Sequence, residues 1–122
     1  MLTSALVTIA SVNFARLIDF YSQFLEIAPQ QYRLDVYAEF PIPGVKLGIF
    51  CPHPSNHDEF GSPSQSGMSL CLEVDSLEDS IVRLTQLGYP PQGQITTASH
   101  GREIYAYDPD SNRLILHQTA NS

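Results

Sequence analysis

The sequence predicts a single α+β domain built from two tandem β-α-β-β-β modules. Its 122 residues suit one domain with one hydrophobic core. Two amphipathic helical segments each follow a strand-like run, and a shift of 63 residues carries the apolar positions of the first segment onto those of the second. We therefore expect one domain over residues 1–122, with module one at 1–52, a linker at 53–67 and module two at 68–118.

Both helical segments carry end signals. Asn13 is placed to cap the first helix, whose apolar positions recur at three- and four-residue spacing through Phe14, Leu17, Ile18, Tyr21, Phe24 and Leu25. The second helix begins at Ser76, with Asp79 as a capping partner, and Gly88 ends it. Phe14 and Leu77 occupy equivalent positions in the first turns of the two helices.

The strands are predicted from apolar alternation between turn residues. One strand precedes each helix, around Val7 and Ile9 in the first module and around Leu70, Leu72 and Val74 in the second. The remaining strands are expected around residues 31–35, 37–40, 45–51, 94–98, 102–107 and 113–118. The linker, rich in Pro, Ser, Asn and Gly, is expected to be exposed.

Charge and composition narrow the classes of partner. The 13 acidic and 6 basic residues give a net charge of −7, which disfavours nucleic acid and favours a neutral or cationic small molecule. The apolar N-terminal run lacks a charged leader and reads as a strand, and no stretch approaches the roughly 20 apolar residues of a membrane span. We expect a cytoplasmic protein without membrane or nucleic-acid partners. Cys51 and Cys71 are expected to be free thiols, with Cys71 buried between two leucines.

Two stretches of the chain resemble a known superfamily. Residues 20–25, Phe-Tyr-Ser-Gln-Phe-Leu, and residues 101–112, Gly-Arg-Glu-Ile-Tyr-Ala-Tyr-Asp-Pro-Asp-Ser-Asn, resemble the vicinal oxygen chelate superfamily of glyoxalases, bleomycin-resistance proteins, fosfomycin-resistance enzymes and extradiol dioxygenases. The Asp-Pro-Asp segment itself is read as a hairpin turn with no chemical role. The resemblance implies that both modules form a curved, cup-shaped mixed sheet and that the chain pairs as a homodimer.

The resemblance also implies where metal ligands would stand. In that superfamily the concave face supplies His or Gln, Glu, His and Glu in chain order, and the matching positions here are Leu6, Gly48, Ser69 and Ile115. Leucine, glycine and isoleucine offer no donor atom, and a serine hydroxyl is a weak one. We therefore expect neither a metal nor another cofactor.

Period-two alternation predicts what the concave face presents instead. The ligand-binding residues predicted on that face are Thr8, Phe50, Ser69, Cys71, Glu73, Glu103, Tyr105, Tyr107 and His117. By the same alternation Lys46, Arg113 and Ile115 also lie on the concave face. Leu47, Ile49, Leu114 and Leu116 point towards the helices. Aromatic walls with a few polar groups suit a small organic ligand.

Three functions fit this face, and the sequence favours the first of them. It is a metal-independent protein that binds a small organic molecule without transforming it. The second is an enzyme, either a lyase, isomerase or dioxygenase with displaced ligands or a metal-free acid–base catalyst using His117 and Glu103. Glu73 and Tyr105 are also candidate partners of His117 for proton transfer. The third is an interaction subunit whose cup is filled by its own side chains.

Two other groups of polar residues compete for a role. The linker carries a superficially metal-like set, His53, His57, Asp58 and Glu59. Pro52 and Pro54 argue against the helix that would align its two histidines. At the turn before the seventh strand, His100 is expected to be solvent-exposed and Arg102 is a candidate for gripping a ligand carboxylate.

Overall fold

A computed structural model describes residues 1–120 of the chain. The chain divides into two units, Met1–Gly61 and a second unit from Ser62 onward. Each unit carries one four-stranded mixed sheet and one α-helix.

The first unit contains strands β1 (Val7–Ala10), β2 (Gln30–Arg33), β3 (Tyr37–Ile42) and β4 (Val45–Phe50), with helix α1 (Phe14–Leu25) after β1. The strand order is β1-β4-β3-β2. Strand β1 runs parallel to β4, and the other two pairs are antiparallel. A 3-10 helix at Pro54–Phe60 follows the sheet.

The second unit repeats this connectivity. After a 3-10 turn at Pro63–Gln65 come β5 (Leu70–Glu73), α2 (Leu77–Leu87), β6 (Thr96–Ala98), β7 (Gly101–Tyr107) and β8 (Arg113–Thr119). The order is β5-β8-β7-β6, and β5 is parallel to β8. The predicted pair of β-α-β-β-β modules is confirmed, and both helices begin at the positions that the repeat matches.

Each helix covers one face of its own sheet. In the first unit the rings of Tyr21 on α1 and Phe40 on β3 lie 6.2 Å apart, and both side chains are buried. In the second unit the buried apolar side chains are Leu77 and Leu84 on α2 and Ile104, Ala106, Leu114 and Leu116 on the strands. These strand residues alternate with half-buried or exposed ones, as a sheet with one covered face requires. We call the face opposite the helix the open face of each sheet.

The two helix starts are capped differently. Ser76 accepts a hydrogen bond from the Asp79 amide at 3.1 Å, as the sequence predicted. The prediction for Asn13 was wrong: its side chain makes no capping hydrogen bond, and its own amide donates to the Ser11 hydroxyl at 3.0 Å. The backbone of Asn13, with ψ of 57°, departs from the extended geometry that turns a capping side chain towards the helix amides.

The turn between β7 and β8 is held by one buried carboxylate. Asp108 accepts hydrogen bonds from the backbone amides of Asp110 and Asn112, each at 2.9 Å, and from the Asn112 side chain at 2.8 Å. This confirms that the Asp-Pro-Asp segment is a hairpin turn. It fixes the register in which β7 and β8 present their side chains.

The start of β7 accepts only glycine. Gly101 has φ of +148°, and a Cβ there would collide with the Gln118 carbonyl and lie 2.9 Å from Nε2 of His117. We expect Gly101→Ala to lower the free energy of unfolding by about 2 to 4 kcal/mol, because backbone strain and overpacking combine. Urea denaturation measures the change.

Gly93→Ala is the matched control, since an added Cβ at Gly93 meets nothing within 4 Å. That variant should stay within about 0.5 kcal/mol of the unchanged protein. Equal losses in the two variants would contradict the close packing described at Gly101.

Candidate functional site

The open face of the second sheet gathers seven of the nine predicted ligand-binding residues: Ser69, Cys71, Glu73, Glu103, Tyr105, Tyr107 and His117. Cross-strand pairing arranges them in rows. One row joins Cys71, Ile115 and Tyr105, and a second joins Glu73, His117 and Glu103. Tyr107 lies opposite Arg113 at one end.

Two tyrosines form the apolar part of this face. Tyr105 is 50% exposed and Tyr107 is 37% exposed, although both belong to a strand whose alternate residues are buried. They stand two residues apart on β7 and therefore point to the same side. With half-buried Ile115 across the strand pair, they offer a flat aromatic and aliphatic surface.

Arg113 fastens the segment that leads into β5. Its Nε donates to the Ser69 hydroxyl at 2.6 Å, and its Nη2 donates to the carbonyls of Ser66 at 2.6 Å and Met68 at 3.2 Å. Ser69, which stands at one of the four metal-ligand positions, is thus a structural partner of an arginine. A neighbouring guanidinium also disfavours a cation at that place.

His117 pairs with Glu73, one of the three partners that the sequence left open, and not with Glu103. Nδ1 of His117 donates to the Glu73 carboxylate at 2.6 Å, and Glu73 also accepts from the amide of Thr119 at 2.7 Å and from its hydroxyl. The hydroxyl and imidazole hydrogen bonds are the main causes that lower the pKa of Glu73. Glu103 is opposite His117 in the register, but it makes no such bond.

The second nitrogen of His117 is enclosed by the protein. Nε2 is buried, has no hydrogen-bond partner among the described residues, and packs against Gly101. The ring stacks on exposed His100, with centroids 5.3 Å apart and planes 8° from parallel. A general base must reach the proton that it removes, and here neither imidazole nitrogen is available to a molecule on the open face.

The burial predicted for Cys71 was wrong. Cys71 is exposed rather than buried, because its phase on β5 places it on the open face. Partial burial, followed by the charges of Glu103 and Glu73, raises the pKa of its thiol and makes it a poor nucleophile.

Arg102 is not available to grip a ligand. It alternates to the helix side of the sheet and forms a two-point ion pair with Glu78 of α2, at 2.6 and 2.9 Å. A third hydrogen bond joins it to the Gln118 side chain at 3.0 Å. Hydrogen bonding to Arg102 lowers the pKa of Glu78 to about 2.

The other two predicted ligand-binding residues, Thr8 and Phe50, lie on the open face of the first sheet. Thr8 is exposed on β1, and Phe50 on β4 packs edge-on against Phe60 with ring centroids 5.6 Å apart. Between them stands Gly48, directly beside Thr8 in the register.

A tyrosine ring covers Gly48. A Cβ on Gly48 would lie 2.7 Å from the Tyr37 hydroxyl, and that hydroxyl donates to the Glu39 carboxylate at 2.9 Å. Burial first, and then the bond to Glu39, raise the pKa of Tyr37. The sequence reasoning missed this arrangement, although the absence of a side chain at Gly48 beside an aromatic strand was a usable signal.

The residues at the four metal-ligand positions do not fit a metal. Gly48 is covered by a ring, Ser69 is bonded to Arg113, and Leu6 and Ile115 offer only carbon. Residues 1–120 contain no group of three or more His, Cys, Asp or Glu side chains placed to hold a metal ion.

The linker histidines occupy a different geometry from the one expected. Pro54 begins a 3-10 helix instead of preventing a helical segment, because proline is tolerated in a first helical turn. His53 caps this helix, its Nδ1 accepting from the Ser55 amide at 3.2 Å.

A cavity of about 550 Å³ lies in the first unit, and the sequence reasoning did not predict it. Its walls are Ser4, Ala5, Leu6, Glu39, Pro41, Ile42, Gly44, Val45 and Lys46. The N-terminal segment before β1 supplies one side, and the β3–β4 hairpin supplies the other.

Comparison with solved structures identifies the fold. The chain is 18% identical to a glyoxalase-related enzyme from Fulvimarina pelagi, with a TM-score of 0.75 over 98% of this chain and 89% of that one. It is 16% identical to a fosfomycin resistance protein, FosX, from Listeria monocytogenes, with a TM-score of 0.74 over 98% and 95% of the two chains. It is 19% identical to a glyoxalase / bleomycin resistance protein from Catenulispora acidiphila, with a TM-score of 0.67 over 95% of this chain and 97% of that one.

These likenesses confirm the predicted fold class, which is the fold of the proteins that the sequence resembles. No protein-family model matches the sequence, and no curated protein matches it. Neither α-helix within residues 1–120 has the length and apolar composition that a membrane span requires.

The bond between Tyr37 and Glu39 gives a pH-dependent prediction. Glu39→Gln removes the negative charge beside the phenol, so we expect the pKa of Tyr37 to fall. It should stay above the ordinary tyrosine value, because burial, the larger cause, remains. Titration of tyrosine labelled with ¹³C at Cζ follows each phenol separately by NMR.

Glu59→Gln is the control, because it removes an exposed carboxylate from the 3-10 helix that follows the sheet. This variant should leave the titration of Tyr37 unchanged. An unaltered pKa of Tyr37 in Glu39→Gln would contradict the hydrogen bond.

Proposed function

We propose that this protein binds a small organic molecule without a metal, on the open face of the second sheet. One observation carries the proposal: Tyr105 and Tyr107 stand side by side and exposed beside Ile115 on a regular sheet. Exposed aromatic side chains grouped on one surface are typical of binding sites. The fold is shared with a glyoxalase / bleomycin resistance protein, and the superfamily that the sequence resembles includes bleomycin-binding members.

The ligand class follows from shape and charge. Two neighbouring phenol rings favour a planar aromatic molecule that stacks on them. Glu73 and Glu103 lie on either side of His117, in the row next to that of Tyr105, so both carboxylates stand beside the aromatic surface. The chain as a whole carries a net charge of −7. A cationic aromatic molecule should bind better than a neutral one, and an anionic one worst.

The polar residues of the face mainly hold its strands in place. Ser69 and His117 are already engaged by Arg113 and Glu73, so they hold the strands in register. Cys71 contributes apolar surface to the row that it forms with Ile115 and Tyr105. Ligand-binding roles for Thr8 and Phe50, on the first sheet, remain predictions.

An acid–base enzyme is the weaker candidate. The pair of Glu73 and His117 has the hydrogen bond that orients a catalytic imidazole. The burial of Nε2 against Gly101 argues against a proton transfer to a molecule on the open face. Displaced metal ligands find no support in the grouping of donor side chains within residues 1–120.

A homodimer is also part of the proposal. Each sheet of the chain is open and has two edge strands, and Tyr32, Leu34 and Val36, on or next to edge strand β2, are exposed. Apolar side chains at an unpaired edge favour association. Light scattering should give a mass near twice the 13.5 kDa of one chain, and a monomer at working concentration would count against pairing. A cytoplasmic location without nucleic-acid partners stays a prediction.

The ligand class can be tested with three related indoles: tryptamine, indole and indole-3-acetate, which are cationic, neutral and anionic. The chain has no tryptophan, so fluorescence anisotropy excited at 295 nm reports the probe alone. We expect saturable binding at about millimolar concentration, with affinity falling in that order. Equal affinity for all three, or no binding, would contradict the proposed class.

The location can be tested with Tyr105→Ala, which should weaken tryptamine binding about fivefold through loss of ring stacking. Tyr32→Ala is an exposure-matched control, since Tyr32 is 48% exposed and Tyr105 is 50% exposed. The control should bind tryptamine as the unchanged protein does. Comparable effects of the two substitutions would move the site away from β7.

A further inference from the structure

The cavity of the first unit is a second candidate site, and none of its wall residues belongs to the predicted ligand-binding set. Its volume of about 550 Å³ falls within the range of small-molecule pockets. Most of the wall is apolar, with Leu6, Pro41 and Ile42 as its larger side chains. Two charged residues, one of each sign, complete it.

The positive residue is Lys46, the only lysine of the chain. It is exposed on β4, opposite Pro41 of β3. Among the described residues it forms no ion pair. An acidic protein thus places its one lysine on the wall of a cavity, with no carboxylate paired to the ammonium group of that lysine.

The negative residue is Glu39, on the neighbouring strand. It lies opposite Gly48, so Lys46 is its diagonal neighbour on the same face. Such neighbours stand about 7 to 8 Å apart, and these two are not bonded to each other. The Tyr37 hydroxyl occupies one oxygen of Glu39 and holds the carboxylate in place, whereas no described residue bonds the other oxygen.

We propose that this cavity binds a small zwitterion with a short aliphatic side chain, such as an aliphatic α-amino acid. Its carboxylate meets Lys46, its ammonium group meets the second oxygen of Glu39, and its side chain lies against Leu6 and Ile42. Opposite charges that do not pair with each other, on the wall of an apolar pocket, match the two ends of such a ligand. The proposal uses only the first unit and does not depend on the aromatic face of the second.

The single lysine makes the test direct. Protein labelled with [¹⁵N]lysine gives one backbone amide signal, at Lys46. The probes are L-leucine, 4-methylpentanoate and 3-methylbutylamine, which share an aliphatic part and differ in their charged groups. We expect L-leucine to shift the signal saturably, with at least tenfold higher affinity than either singly charged probe. No shift, or equal affinities, would overturn the proposal.

Substitutions test the two contacts separately, with uniform ¹⁵N labelling and the Gly44 amide as the reporter on the cavity wall. Lys46→Met and Glu39→Gln should each weaken L-leucine binding at least tenfold, and Lys46→Arg should keep it within threefold. Arg33→Met, which removes an exposed cation outside the cavity, is the control and should change nothing. Unchanged binding in Lys46→Met, or an equal loss in Arg33→Met, would refute the role of Lys46.

Discussion

The covering of one face of each sheet by one helix is the constraint on which the other features depend. Helix α1 buries Leu17 and Tyr21, and α2 buries Leu77 and Leu84. Because side chains alternate across a strand, covering one face assigns every other strand residue to the open face. A slip of one residue would exchange the buried leucines of β8 for Ile115 and His117. The composition of the open face is therefore a consequence of the packing on the other side.

The open faces also share a device, a ring laid over a glycine and held by a carboxylate. Tyr37 covers Gly48 and is held by Glu39, whereas the His117 ring lies against Gly101 and is held by Glu73. Each ring replaces the missing side chain and keeps the sheet surface closed there. Tyr37, His117 and Glu73 are engaged in these contacts. The exposed tyrosines of β7 and the charged cavity of the first unit remain as the surfaces suited to ligands.

The sequence predicted the repeat, the helix starts and the alternation, because these depend on local spacing. It did not predict which side chains would bond across strands. The sequence alone allowed Arg102 to face a ligand, whereas in the structure it pairs with Glu78 of α2. It also allowed His117 to pair with either Glu73 or Glu103, and the structure shows the pair with Glu73.

The cavity escaped prediction for the same reason. Leu6, Lys46 and Glu39 come together only through the parallel pairing of β1 with β4 and the β3–β4 hairpin. The exposure of Cys71, in contrast, could have been predicted from the sequence. Its leucine neighbours suggested burial, but the alternation along β5 already placed it on the open face.

The most direct test of the account is an intermolecular NOE measurement on chelator-treated protein carrying ¹³C-labelled isoleucine δ-methyl groups, with tryptamine bound. Ile115 lies on the open face beside Tyr105, whereas Ile104 lies buried on the helix side. A metal-free aromatic site predicts NOEs from the indole ring to the Ile115 methyl group and none to Ile104. Loss of tryptamine binding on chelation, or NOEs that avoid Ile115, would contradict it.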